Sequence, residues 1–144
     1  MSDRKALIRT FYERYVAGDS DGALGMLAED VTWQAPDCLP YGDLYHGRAG
    51  VLNYATTAAS WYDFILAEVD DVVDASADRS IVVGTFGGRA RATGTDFRVP
   101  FCQTWEFRSD QGVALRYTND SGAVLRALGV GPRALGTPPR AYGA

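Results

Sequence analysis

The sequence predicts an α+β fold in which a curved, mostly antiparallel sheet wraps around three N-terminal helices, forming a cone with one deep apolar pocket. Three observations carry this expectation. Apolar residues recur at helical spacing through the first sixty or so positions. From Phe64 onward the texture changes to β-branched and aromatic runs separated by turn residues. Glycines at 84, 87 and 88 interrupt one of those runs, as a strand needs when a sheet curls around a cavity.

The first helix is read from Leu7, Ile8, Phe11, Tyr12 and Tyr15, and the Gly18-Asp19 pair ends it. Ser20 or Asp19 can cap a short second helix with Leu24, Leu27 and Ala28 on its apolar face. Val31, Trp33 and Ala35 then alternate as a short strand, and the segment from Pro36 to Gly47 reads as a loop. Val51, Tyr54, Ala55, Ala58 and Tyr62 return to helical spacing and give a third helix. Four consecutive strands follow at about Phe64–Asp74, Ser80–Arg91, Phe97–Arg108 and Val113–Asn119, joined by breaks suited to antiparallel hairpins. Val124, Leu125 and Leu128 make one or two closing helical turns. The domain is thus expected over residues 1–129. Residues 130–144 are too rich in Gly and Pro for more than a mobile tail or an arm on a partner subunit.

A chain of 144 residues, 47% hydrophobic, can bury one core and still line a cavity, and a second domain is not expected. The net charge of −4 argues against a nucleic-acid partner, which would require clustered Lys and Arg to neutralise phosphates. Charges scattered through the apolar positions of the first fifteen residues read as neither signal peptide nor membrane span, so the expected location is cytoplasmic. Cys38 and Cys102 stand apart and are expected as reduced, small wall residues. With a single histidine, a zinc or iron site would rest on scattered carboxylates, and no cofactor or metal is expected.

The phrase FYERYVAGDSDGALGMLAEDVTW, set in this order of elements, resembles the nuclear transport factor two-like superfamily. LPYGDLYHGRAGVLNY and PFCQTWEFRSDQGVALRYTNDSGAVLRALG resemble its SnoaL-like branch, the polyketide cyclases, with the related ketosteroid isomerases beside them. Together the phrases span most of residues 5 to 129. The resemblance implies the cone fold and acid/base chemistry without a cofactor. The isomerases' helix tyrosine falls here on Phe11, their loop base on Cys38 with Asp37 adjacent, and their protonated aspartate on Gln103.

Asp37, among apolar residues at the end of a strand, is the expected base, since desolvation would raise its pKa; the alternative is a solvated turn aspartate. Alternation puts Val99, Phe101, Gln103, Trp105 and Phe107 on one face, leaving Gln103 as its only polar side chain. Its amide N–H is then expected to hold a substrate carbonyl or a developing oxyanion, against the alternative of a core amide satisfied by backbone. Tyr15, one turn beyond Phe11, is expected to supply a further donor, with Tyr12 on the adjoining face. Asp120 ends the last strand and reads as a helix N-cap or as a base of the kind the SnoaL-like cyclases and limonene epoxide hydrolases place there; Asn119 has the opposite direction. His46 reads as surface or supporting, and Arg89 and Arg91 as solvated or interfacial. Trp33, Tyr41, Tyr45, Trp61, Phe101 and Trp105 are the expected substrate-binding wall.

The expected function is that of a cyclase, isomerase or dehydratase acting on a hydrophobic, polyketide-like carbonyl compound through proton abstraction and enolate stabilisation. Epoxide opening by aspartates and non-catalytic binding of a hydrophobic ligand are the alternatives. A homodimer through the outer face of the sheet, which carries Cys102 and Thr104, is expected.

Overall fold

The computed structural model describes residues 3–133. The chain runs α1 (Arg4–Val16), α2 (Ser20–Leu24), β1 (Leu27–Gln34), β2 (Leu44–His46), α3 (Gly47–Ala59), β3 (Tyr62–Asp74), β4 (Arg79–Ala90), β5 (Asp96–Arg108), β6 (Gln111–Asn119) and α4 (Ser121–Leu128). The six strands form one open sheet in the order β2-β1-β6-β5-β4-β3, antiparallel except where β1 joins β6.

Short polar side chains start the helices. Asp3, Asp19 and Asp120 each accept from a backbone N–H three residues on, opening α1, α2 and α4. On α1 the buried residues are Ile8, Phe11 and Tyr12, so this helix turns toward β3 the face that both i+3 and i+4 rows share. Helix α3 lies over β1 with Val51, Tyr54 and Ala58 buried.

The hairpin series β3 to β6 follows the expected order, and the register of β5 is the expected one. Phe101, Gln103 and Trp105 are buried, while Thr104 and Glu106 are half-buried on the other face. The expected bend appears where β3 slips register between Val69 and Asp71, opposite Gly84. A Cβ at Gly84 would lie 2.1 Å from the Glu68 carbonyl oxygen and 2.7 Å from the Phe101 ring, so only glycine lets strand and ring approach.

Three expectations are corrected. Leu27 and Ala28 begin β1 and do not extend α2, which stops at Leu24. Tyr62 is the first residue of β3 and not the last turn of α3; helical spacing continued by chance across the turn at Ser60 and Trp61. The Pro36–Gly47 loop contains β2, whose three residues pair with Thr32, Trp33 and Gln34. Beyond α4, Val130 donates to Leu125, and Arg133 donates to the Cys38 carbonyl at 2.7 Å, tying the segment to the β1–β2 loop. The rest of the expected tail, from residue 134, lies outside the described residues. No helix among the described residues is long and apolar enough to cross a membrane.

Candidate active site

The concave side of the sheet and the helices over it enclose a core unusually rich in phenols. Ring contacts run from Phe11 to Trp33 (6.1 Å) and Trp105 (5.0 Å), from Trp33 to Tyr54 (5.0 Å), and from Tyr41 to Tyr54 (6.1 Å). Phe101 stacks on Tyr117 at 5.2 Å and tilts against Tyr12 at 5.6 Å. The buried residues outside the hydrophobic set are Ser80 and Gln103, so no charged side chain among the described residues is buried.

Gln103 sits at the centre of this core with no exposed surface. Its Oε1 accepts from the Tyr12 hydroxyl and from Trp105 Nε1 at 3.0 Å, while its Nε2 is buried without a partner. Trp33 Nε1 and Asn119 Nδ2 are likewise buried and unpartnered. All three groups are N–H donors, so what the core lacks is an acceptor.

The phenols share that polarity. Burial pushes the Tyr15 and Tyr62 hydroxyls up to about 12 and raises Tyr12, Tyr41, Tyr54 and Tyr117 as well, with mutual repulsion adding to most of them. They therefore remain neutral O–H groups at physiological pH. Tyr41 and Tyr62 hydroxyls lie 2.6 Å apart, and Tyr45 donates to the Tyr41 carbonyl oxygen at 2.7 Å.

Several expected residues occupy the core: Gln103, Trp33, Tyr41, Phe101 and Trp105 are all buried. Tyr45 and Trp61 are half-buried at its edge. The side chain that hydrogen-bonds Gln103 from α1 is Tyr12, not Tyr15. The signal for Tyr12 is its place four residues after Ile8, which puts it on the buried helix face.

The two aspartates lie outside. Asp37 is exposed and accepts from Gln34 Nε2 at 3.0 Å, because the loop buries its neighbours Ala35 and Leu39 and turns Asp37 to solvent; the desolvation expected for it is absent. Asp120 is exposed and caps α4, its carboxylate accepting from the Ala123 N–H at 3.2 Å. Asn119, not Asp120, continues the inward row Leu115–Tyr117. Ser121 donates to its Oδ1 at 2.6 Å, and its Nδ2 is buried without a partner. Strand parity alone would have found it. His46 is exposed, Cys38 and Cys102 are half-buried free thiols, and Arg89 and Arg91 pair with Asp96 (2.7 Å) and Asp63 (3.5 Å) on the surface.

A groove of about 400 Å³ opens between α1 and β3, lined by Tyr12, Glu13, Val16, Ala67 and Val69 among others. Tyr12 therefore stands between this opening and Gln103.

An open, curved six-stranded sheet packed over helices is the nuclear transport factor two-like α+β cone fold. Within it the chain belongs to the SnoaL-like domain family, whose model matches residues 8–115. A nuclear transport factor two-like protein of unknown function from Burkholderia pseudomallei superposes with a TM-score of 0.82 at 27% identity, covering 89% of this chain and 98% of that one. TerC, co-crystallised with polyporic acid, has a TM-score of 0.80 at 20% identity, covering 86% and 96%. A candidate polyketide cyclase from Xanthomonas campestris pv. campestris has a TM-score of 0.70 at 19% identity, covering 85% and 94%. No curated protein sequence matches this chain.

Proposed function

We propose that the chain is a cofactor-independent acid/base enzyme, a cyclase, isomerase or dehydratase, acting on a hydrophobic, carbonyl-bearing, polyketide-like molecule. The observation that carries this reading is the buried, unpartnered Nε2 of Gln103 in a wall of aromatic rings. A carbonyl oxygen placed there receives that N–H. As a proton leaves the α-carbon, negative charge grows on the same oxygen, and the hydrogen bond strengthens because water is excluded. The neutral phenols add further donors without competing for the proton, since burial holds them protonated.

The base is Asp37, or failing that Asp120. Asp37 belongs to the loop that also places Tyr41 in the core, so a substrate extending from the interior to the rim of that loop meets its carboxylate. Its exposure leaves the carboxylate open to a substrate at that rim. The test is kinetic: with a turned-over carbonyl substrate, Asp37→Asn loses about 10²–10⁴-fold in rate while folding is unchanged. Asp120→Asn, which keeps a good cap, leaves the rate intact.

One observation favours a second reading. Since all carboxylates among the described residues lie outside the buried core, the interior equally suits a binder that holds an oxygenated hydrophobic ligand without chemistry. The same fact gives no support to epoxide opening, which would want aspartates facing inward.

A further inference from the structure

An indole N–H can only donate, whereas a carboxamide offers an acceptor at one end and donors at the other. Trp105 Nε1 lies 3.0 Å from the Gln103 side chain, two residues away on the same face of β5. The amide oxygen must therefore face the indole, because the reversed amide would set two donors against each other. The hydroxyl of Tyr12 donates to the same oxygen. The NH2 end is left pointing elsewhere, wholly buried and unpartnered. Trp33, only 3% exposed, presents a second unpartnered N–H that has no acceptor form at all.

We propose that Trp105 is a positioning residue that sets the polarity of the site. By holding Gln103 as a donor, it makes the interior select a hydrophobic molecule bearing a bare oxygen acceptor, such as a ketone or quinone oxygen, and reject one bearing N–H at that point. This rests on the interior being the ligand site, and it adds the residue that decides which ligands enter. Without the indole N–H the amide is free to reverse, because the Tyr12 hydroxyl accepts as readily as it donates. The site would then offer an acceptor.

The test compares two flat tricycles of nearly equal shape by isothermal titration calorimetry: 9-fluorenone, which carries only a carbonyl acceptor, and carbazole, which carries only an N–H donor. Leaving a buried polar group unpaired costs enough for the native protein to prefer fluorenone by about tenfold or more. In Trp105→Phe the preference falls to near unity or reverses. Should Trp105→Phe fail to fold, replacement of Trp105 by 3-benzothienylalanine keeps the volume and removes only the N–H, with the same expected loss. An unchanged preference in a folded protein lacking the indole N–H overturns the proposal. So does a native protein that binds neither tricycle, or that binds carbazole as well as fluorenone. Fluorenone has no enolisable hydrogen, so its binding does not depend on proton abstraction. Catalysis failing with the preference intact sinks the enzymatic reading alone, and the preference failing with catalysis intact sinks this inference alone.

Discussion

The hydroxyls of Tyr41 and Tyr62, 2.6 Å apart, join the β1–β2 loop to the first residue of β3 inside the core. They belong to the group of phenols whose ionisation burial opposes, with Tyr62 and Tyr15 pushed up to about 12 from 10.0. A folded-state pKa raised above the unfolded one gives stability that is complete below the unfolded value. It is lost as pH rises toward the folded value, because the unfolded chain ionises first. Urea midpoints should hold steady up to about pH 9 and fall steeply between about pH 10 and 12. Phenolate absorbance of the folded protein should lag that of the urea-unfolded chain over the same window.

Gln103→Leu removes the acceptor shared by Tyr12 and Trp105 and strands two buried donors. Each stranded donor costs about 1–3 kcal/mol, so stability should drop by about 2–6 kcal/mol in urea denaturation. A loss within about 0.5 kcal/mol, the range of an ordinary surface change, would mean that the amide is not bonded as described.

Two glycines separate steric from conformational cost. At Gly84 an added Cβ meets a backbone oxygen at 2.1 Å, and at Gly94 it meets nothing within 4 Å but the backbone has φ +69. Gly94→Ala should cost about 1 kcal/mol, and Gly84→Ala distinctly more because backbone cannot move aside cheaply. Equal thermal shifts in the two variants would contradict the described approach of β3 to Gly84.

Much of this fold was legible because period and parity are local properties. The alternation of Phe101, Gln103 and Trp105 sets the face each takes in β5, and Gly84 marks the bend. The failures were of two physical kinds. Tyr62 and Leu27 fell where one periodicity runs by chance into the next element, so pattern alone carried the helices too far. The apolar neighbours of Asp37 suggest a desolvated carboxylate, yet a loop that buries Ala35 and Leu39 turns the residue between them outward. The Tyr12–Gln103–Trp105 junction joins residues 91 positions apart, a contact visible only after folding.

Assembly provides a further check. Val83 is 39% exposed on the outer face of the sheet, where Cys102 and Thr104 are half-buried. A homodimer through that face should sediment as a dimer at about tens of micromolar, the working range of specific interfaces. A monomer there would count against it.

The central claim is that donors in the core hold a carbonyl oxygen while a proton leaves the neighbouring carbon. Hydrogen–deuterium exchange at the α-carbon, followed by proton NMR in heavy water over a panel of hydrophobic aryl ketones, measures that step without requiring the natural substrate. The account predicts enzyme-dependent loss of the α-proton signal for at least one ketone, reduced about 10²–10⁴-fold in Asp37→Asn. Exchange no faster than buffer across the panel, from a protein that nonetheless binds those ketones, would contradict it and leave a binding protein.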